Sequence, residues 1–117
     1  MKDLFKDILE IDDVQGALFV SLDGKIVFKN FLSHLPEGLE KLDWPAFIQS
    51  LDKIQETELI FEHVRFYVRR TGSGFIFVLM GTLALIEMVR LNCNILIPSI
   101  EQKKIKPKGL GSFFKLK

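Results

Sequence analysis

The N-terminal residues alternate between apolar and charged positions at the spacing of an amphipathic helix. The intervening positions are mostly Lys, Asp and Glu, and one side of the helix carries the apolar residues Leu4, Phe5, Ile8, Leu9 and Ile11. This pattern predicts a first helix with a single face to bury.

Two short runs rich in β-forming residues follow this helix. The run ALFVSL begins after Gly16, and the run KIVFKNF begins after the pair Asp23-Gly24. An Asp-Gly pair between two such runs is a strong hairpin signal, because both central positions of the tight turn adopt positive φ. The pattern predicts that strands one and two form a tight hairpin.

A second helix is predicted after a loop that contains Pro36 and Gly38. Asp43 is placed to cap this helix, and Pro45 fits its first turn, where a missing N–H costs no hydrogen bond. The helix has one apolar stripe, made of Trp44, Phe47, Ile48, Leu51 and Ile54.

From Thr57 the apolar period becomes two, which is typical of strands. The segments TELIFEH, VRFYVRR and GFIFVLM predict three antiparallel strands, joined near Glu62-His63 and at the glycine turn 71–74. In the second of these strands, polar residues alternate with Phe66 and Val68. One face of that strand is therefore expected to be polar at its ends and solvated.

The segment LALIEMVRLNCNILI, after Gly81-Thr82, predicts a third helix that ends at Pro98. Its polar residues Glu87, Arg90 and Asn94 fall within one narrow arc, and apolar residues occupy nearly all other directions. We therefore expect a helix that is buried on most of its circumference, with Glu87 and Arg90 as an exposed pair three residues apart.

The long apolar stretch around residue 80 has two alternative interpretations that the sequence disfavours. The apolar run Phe75–Ile86 is twelve residues long, whereas a helix needs about 20 to cross the hydrocarbon of a membrane. The preceding RRTGSG resembles a phosphate-binding loop, but it leads from one strand to another and not into a helix. A glycine hairpin with Arg69 and Arg70 at its rim is favoured, and no membrane span is expected.

Composition narrows the class of protein further. The chain has 117 residues, a hydrophobic fraction of 48% and a net charge of +1, which indicates one globular domain and not a nucleic-acid-binding protein. The single cysteine, Cys93, favours a reducing compartment, and the N-terminus lacks the pattern of a secretory signal. A cytoplasmic protein is expected.

No motif predicts catalysis, a cofactor or a metal. His34 and His63 share no metal-ligand spacing with Cys93 or with a pair of carboxylates. The serines lie in no nucleophile-elbow context. We therefore expect no catalytic, cofactor-binding or metal-binding residues, and a protein that is not an enzyme.

The C-terminal segment 101–117 differs electrostatically from the rest of the chain. It carries six Lys and one Glu, net +5, whereas residues 1–100 carry ten Lys or Arg and fourteen Asp or Glu, net −4. We predict a domain at 1–100 and a flexible basic tail at 101–117.

Three interpretations of this tail remain open. It is a solvated terminus, an arm that contacts an anionic membrane or an acidic partner, or a segment whose LGSFF resembles the hydrophobic end of sliding-clamp-binding peptides. The candidate contact residues are Lys103, Lys104, Lys106, Lys108, Leu110, Phe113 and Phe114.

The predicted order α-β-β-α-β-β-β-α in about 100 residues, with Gly16-Ala17 entering strand one and Asp23-Gly24 at the first hairpin, resembles the roadblock (dynein light chain) family. The resemblance covers residues 1–100. It implies an α/β sandwich of the α+β type, in which a five-stranded antiparallel sheet has the second helix on one face and the first and third helices on the other.

The resemblance also implies a function. Members of the family usually dimerise through the second helix and third strand, and many regulate or anchor Ras-like small GTPases without a catalytic motif of their own. The corresponding dimer-interface residues here are Phe47, Ile48, Leu51, Leu59, Ile60 and Phe61.

A homodimer is also expected because a small domain that is nearly half hydrophobic has more apolar surface than one thin core hides. The leading hypothesis is a non-enzymatic dimeric adaptor or regulator that binds a small GTPase or a comparable protein partner. The alternative is a profilin-like or sensor-like module that binds a small ligand between its sheet and helices.

Overall fold

The computed structural model of the chain describes residues 2–32, 41–61 and 64–105, with the side chains of residues 3–101 in those ranges. Within these residues the order of elements is the predicted α-β-β-α-β-β-β-α. The bounds are Lys2–Phe5 (a 3₁₀ turn), Lys6–Leu9 (α1), Val14–Ser21 (β1), Ile26–Phe31 (β2), Trp44–Ser50 (α2), Glu56–Ile60 (β3), Arg65–Arg70 (β4), Gly74–Met80 (β5) and Ile86–Ile105 (α3).

The five strands form one antiparallel sheet in the order β2-β1-β5-β4-β3. β5 lies at the centre, between β1 and β4, and all seven of its residues are buried. A strand covered on both faces needs no polar side, which explains its unbroken apolar sequence. β2 and β3 form the two edges of the sheet.

Alternate residues of β5 enter two separate cores. Ile76 packs in the α3-face core, which α1 and α3 cover, and Phe77 packs in the α2-face core beneath α2. The α3-face core comprises Phe5, Ile8, Val14, Ala17, Phe19, Tyr67, Ile76, Val78, Met80, Ala84, Val89, Cys93, Leu96 and Ile100. The α2-face core comprises Leu18, Val20, Trp44, Ile48, Leu51, Phe66, Val68, Phe75, Phe77 and Leu79. The predicted sandwich, with one helix on one face and two on the other, is confirmed.

The first hairpin forms as predicted, but its turn differs. The backbone N–H of Gly24 donates to the carbonyl of Ser21 at 2.9 Å, so that Leu22 and Asp23 are the central residues of the turn. Within this turn only Gly24 has positive φ, at 89°. A turn followed by a left-handed glycine also matches the twist of the strands. Asp23 instead accepts a hydrogen bond from the Ser21 hydroxyl, which lowers the pKa of its carboxyl group.

The start of α2 is as predicted. The Asp43 side chain accepts a hydrogen bond from the backbone N–H of Ala46 at 3.2 Å, and Pro45 occupies the first turn. This cap satisfies one of the N–H groups that have no partner inside the helix. The predicted loop at 33–40, which contains His34, lies outside the described residues. The predicted junction at Glu62-His63 also lies outside them.

The predicted end of the third helix at Pro98 is wrong, because α3 continues to Ile105. Proline removes one N–H, which would bond the carbonyl of Asn94. Both Pro98 and Asn94 are exposed, so that water can solvate this carbonyl. Residues 101–105 therefore belong to α3 and not to an extended tail, and residues 106–117 lie outside the described part of the chain.

The prediction that this helix is buried on most of its circumference is also wrong. Val89, Cys93, Leu96 and Ile100 line the side that faces the sheet, and no further layer of the described residues covers the outer side of the helix. The apolar side chains left exposed in and just before α3 are Leu83, Leu85, Met88, Leu91 and Ile95. None of the helices in the described ranges combines the length and apolarity that a membrane crossing requires.

Candidate functional site

The edge strand β3 lies next to an apolar surface of the α2 face. β3 pairs with β4 alone, and the described residues place no strand on its other side. At its end, Ile60 is 74% exposed and Phe61 is 46% exposed. An edge strand with exposed apolar residues is prone to pair with another chain.

An apolar cleft of about 650 Å³ lies between this edge and α2. It forms because α2 has only seven residues and leaves part of the sheet uncovered. The cleft is lined by Leu42, Trp44, Phe47, Glu58, Leu59, Ile60, Phe61, Val64, Phe66 and Phe77. We call this surface the edge cleft.

Aromatic rings form the walls and floor of the edge cleft. Trp44 contacts Phe77 edge-on with ring centroids 5.3 Å apart, and Phe61 contacts Phe66 edge-on at 6.1 Å. Such pairs contribute about 0.5–1.5 kcal/mol beyond their buried area and hold the rings in fixed orientations. The cleft is therefore a shaped apolar surface that another molecule could bury.

The six residues predicted for a dimer interface occupy different environments. Ile48 and Leu51 are each 4% exposed and pack in the α2-face core, so little of their surface is left for a partner. Phe47 and Leu59 are partly buried and line the edge cleft, as do the exposed Ile60 and Phe61. The geometry thus brings four of the six together on one surface.

Sequence reasoning missed the other residues of this surface. Phe66 lies on β4 and Phe77 on the central strand β5, and both are only 1% exposed, so that their buried rings form the floor of the cleft. The strand alternation assigned Phe66 a buried position, as observed. No local signal could have shown that this part of the core would also line a cleft.

On the opposite face of the sheet, Glu56 of β3 is part of a polar network. Its carboxylate accepts hydrogen bonds from the Tyr67 hydroxyl at 2.5 Å and from Nε of Arg90 at 2.6 Å, and Arg69 donates to the Tyr67 oxygen at 3.2 Å. The predicted Glu87–Arg90 pair is therefore wrong: Arg90 binds Glu56, because α3 crosses the sheet beside β3 and β4.

This network shifts two pKa values in opposite directions. The hydrogen bond from Tyr67, followed by that from Arg90, lowers the pKa of Glu56. Burial, followed by the hydrogen bond to Glu56, raises the pKa of Tyr67 to about 12. Tyr67 is 1% exposed, so the predicted solvation of this face of β4 is wrong, because α3 covers it.

Glu58, the other acidic residue of β3, is also neutralised within the domain. Its carboxylate binds Nη1 of Arg65 at 3.1 Å. The Arg65 guanidinium also donates to the carbonyls of Gly81 at 3.0 Å and Ala84 at 2.6 Å, which anchors the connection between β5 and α3. The edge strand therefore presents paired and not free carboxylates to a neighbouring chain.

The glycine turn after Arg69-Arg70 is a hairpin, as the sequence predicts. The Arg70 guanidinium stacks over the Phe75 ring at 4.8 Å, and the Thr71 hydroxyl accepts the N–H of Gly74 at 3.0 Å. The carboxylate of Glu101 accepts the N–H of Gly72. Glu101 thus occupies the position that a phosphate would need.

The described residues contain no group of three or more His, Cys, Asp or Glu that could hold a metal ion. Burial raises the pKa of the Cys93 thiol to about 12, which disfavours the nucleophilic thiolate. Among the predicted tail residues, Lys103 and Lys104 lie in the last turn of α3. Lys106, Lys108, Leu110, Phe113 and Phe114 lie outside the described residues.

Similarity to known proteins is visible in the structure and not in the sequence. No family model and no curated protein sequence matches the chain. Among solved structures, the gliding protein MglB from Thermus thermophilus superimposes with a TM-score of 0.72 at 15% identity, over 91% of this chain and 89% of that one.

Two further solved structures have the same fold. A Roadblock/LC7 domain from Streptomyces avermitilis gives a TM-score of 0.68 at 13% identity and covers 90% of this chain and 94% of its own. MglB in a tetrameric arrangement gives 0.69 at 14% identity, over 86% of this chain and 85% of that one. The chain therefore has the roadblock fold, which confirms the resemblance and the fold class predicted from the sequence.

Proposed function

We propose that this chain is a non-enzymatic, homodimeric module of roadblock fold that binds a Ras-like small GTPase or a comparable protein partner. The observation that carries the proposal is the edge cleft on this fold: an unpaired edge strand beside an aromatic surface of about 650 Å³. Its exposed residues Ile60 and Phe61 are the ones that association would bury.

In the proposed dimer, β3 of one protomer pairs with β3 of its partner and extends the sheet across both chains. Unsatisfied backbone groups of an edge strand gain hydrogen bonds in this way, and the two α2 helices close over the edge clefts. Like charges opposite one another destabilise strand pairing. Glu56 and Glu58 are paired with Arg90 and Arg65, which reduces this repulsion.

A joined pair of protomers supports partner binding because it doubles the surface available to a protein ligand. A specific protein interface buries about 800 Å² on each partner, and α2 of one protomer has only seven residues. The structural similarity to MglB in a tetrameric arrangement supports assembly of this fold into oligomers. It does not identify the partner.

The test is binding of the full chain to purified Ras-like small GTPases, each loaded in turn with GDP and with a non-hydrolysable GTP analogue. We expect binding to at least one GTPase with a preference for one nucleotide state, measured by biolayer interferometry. Failure to bind any GTPase in either state would remove the partner from the proposal. Single-turnover GTP hydrolysis with and without the chain then distinguishes a regulator from an adaptor.

A second candidate, a small-ligand-binding module, is favoured by the volume and apolarity of the edge cleft. Ligand pockets have volumes of about 300–1,000 Å³, and the cleft falls within this range. Trp44 lines the cleft, so its fluorescence would report an apolar ligand. A retained ligand, seen as a mass increase in native mass spectrometry and lost in a Phe61→Asp variant, would favour this function over the adaptor.

A further inference from the structure

A second groove runs between α1 and α3, on the face of the molecule opposite the edge cleft. Two cavities of about 510 and 200 Å³ share the lining residues Asp7 and Asn92 and so form one continuous groove. We call it the acidic groove. It runs from Leu83, which lies just before α3, along the helix to Ser99.

The two walls of the acidic groove differ in chemistry. The α1 wall carries four carboxylates, from Asp3, Asp7, Glu10 and Asp12, and no Lys or Arg is among the described residues that line it. The α3 wall is mainly apolar, and its side chains Leu83, Leu85, Met88 and Ile95 are between 44% and 81% exposed. A segment that carries both lysines and large apolar side chains complements these two walls.

Two neighbouring carboxylates, those of Asp13 and Glu101, are already hydrogen-bonded within the domain and are not expected to bind such a segment. Asp13, next to Asp12, accepts the N–H of Leu83 at 2.7 Å and so fixes the end of the groove. The carboxylate of Glu101 accepts a hydrogen bond from the N–H of Gly72 and so already has a partner. The four groove carboxylates remain exposed or partly exposed.

The chain itself supplies a segment with this chemistry. Residues 106–117, KPKGLGSFFKLK, contain four Lys, two Leu and the pair Phe113-Phe114, with no acidic residue. They follow directly after Ile105, and Ser99 at the near end of the groove is six residues earlier in α3, or about 9 Å along its axis.

The sequence after Ile105 also allows the chain to turn back along α3. Pro107 disfavours continuation of the helix, and Gly109 tolerates the backbone conformations of a tight turn. Phe114 lies five residues beyond Gly109, which spans about 16 Å when extended. Measured down α3 from Ile105 at about 1.5 Å per residue, this distance reaches the level of Ile95. A segment that turned back in this way would bring Lys115 and Lys117 level with Asp7 and Glu10.

We propose that residues 106–117 dock in the acidic groove of their own chain, with Phe113 and Phe114 against Ile95 and the last lysines against Asp7 and Glu10. Because the segment is tethered close to the groove, its effective concentration there is high and weak contacts suffice. The groove and the edge cleft are on opposite faces of the sheet, so that docking leaves the proposed dimer interface free.

The test uses the full chain with a nitroxide label on an added cysteine, Ser112→Cys. Cys93 is fully buried, so we expect it to remain unlabelled. We expect paramagnetic broadening of the amide signals of residues 3–10 and 88–96, and not of residues 44–60. In an Asp7→Lys/Glu10→Lys variant this broadening is lost, whereas it persists in the matched control Asp52→Lys/Glu87→Lys, which changes the net charge equally outside the groove.

Three results would overturn the proposal. The first is broadening confined to the α2 side of the sheet or spread evenly over the molecule. The second is broadening that arises only between a nitroxide-labelled chain and a separate isotope-labelled chain, which would assign the contact to a second copy. The third is an undocked segment in a chain that sediments with phosphatidylserine vesicles, which would assign it to a membrane surface.

Discussion

The two faces of the sheet are covered in different ways. On the α2 face, a helix of seven residues covers a core that contains four aromatic rings and leaves the edge cleft beside β3. On the α3 face, a helix of twenty residues packs together with α1 over the core, and the surplus apolar surface lies on the outside of the helix.

This difference separates two kinds of exposed apolar surface. In the edge cleft, the exposed side chains of Ile60 and Phe61 lie at the end of an edge strand, a combination suited to pairing with another protein chain. Along α3 the backbone is already bonded within the helix, so that only side chains are available, and the nearby carboxylates favour a basic segment. The two proposed occupants, a second protomer and the C-terminal segment, would therefore not compete for the same surface.

The largest expected effect tests whether both cores carry the stability of the domain. Ile76 and Phe77 are adjacent on β5, are 0% and 1% exposed, and face opposite cores. We expect Ile76→Ala to lower the free energy of unfolding by about 2–5 kcal/mol and Phe77→Ala by about 3–5 kcal/mol. Urea denaturation at one fixed protein concentration measures both, and a loss below about 1 kcal/mol for either variant would show that its core contributes little.

The next effect concerns pH and is specific to the α3 face, where Tyr67 and Cys93 are buried. Burial raises both pKa values to about 12 in the folded state. In the unfolded chain Cys93 ionises near its ordinary value of about 8.5. Stability is therefore complete below that pH and declines as the pH rises towards 12, on the order of a few kcal/mol in total.

The measurement for this prediction is the free energy of unfolding from pH 7 to pH 11 for the unmodified chain and for Cys93→Ala. The variant is expected to be less stable at pH 7, because it leaves a small cavity, and to lose less stability as the pH rises. Equal slopes for the two proteins would mean that the Cys93 thiol does not resist ionisation in the fold.

The third prediction compares the two exposed surfaces directly. We expect Ile60→Lys to weaken the proposed homodimer by roughly 30- to 100-fold, which corresponds to about 2–3 kcal/mol of lost burial. The matched variant Leu91→Lys adds the same charge on α3, at a residue that is 54% exposed, and is expected to leave the dimer intact. Sedimentation velocity over a concentration series tests both, and dissociation by Leu91→Lys alone would move the interface to α3.

The smallest effect is expected from Arg90→Ala, which removes the ion pair between α3 and β3. The Arg90 and Glu56 side chains are 46% and 35% exposed, so that solvent screens the pair and the loss of stability should be small. The pKa of Glu56 should rise but stay below its ordinary value, because the Tyr67 hydrogen bond, its larger cause, remains. An NMR titration of the Glu56 carboxyl carbon measures this, and an unchanged pKa would contradict the pairing.

Sequence patterns predicted the elements whose signals are local. The Asp43 cap, the Asp23-Gly24 hairpin and the glycine turn at 71–74 each depend on residues within a few positions of one another. The order of elements followed from apolar periodicity, and it was enough to suggest the fold. The turn at Asp23 was predicted with the wrong φ, because two turn types share the same Asp-Gly signal.

Predictions that depended on contacts between distant segments were less accurate. Apolar residues around α3 indicated burial, but nothing in the sequence shows that only one side of the helix meets the sheet. The partner of Arg90 is Glu56, 34 residues away, and not the nearby Glu87. At Pro98 the exposed carbonyl of Asn94 can bond to water in place of the missing N–H, and exposure is a property of the packed structure.

The amino-acid sequence by itself determined which segments are helices and strands, which faces of them are apolar, and where charge is concentrated. These properties arise from backbone geometry and from neighbours three or four positions apart. Only the tertiary structure decided how much of each apolar face is covered. The lengths of α2 and α3 relative to the sheet leave the edge cleft on one side and the acidic groove on the other, and such surfaces exist only once segments far apart in the chain have packed together.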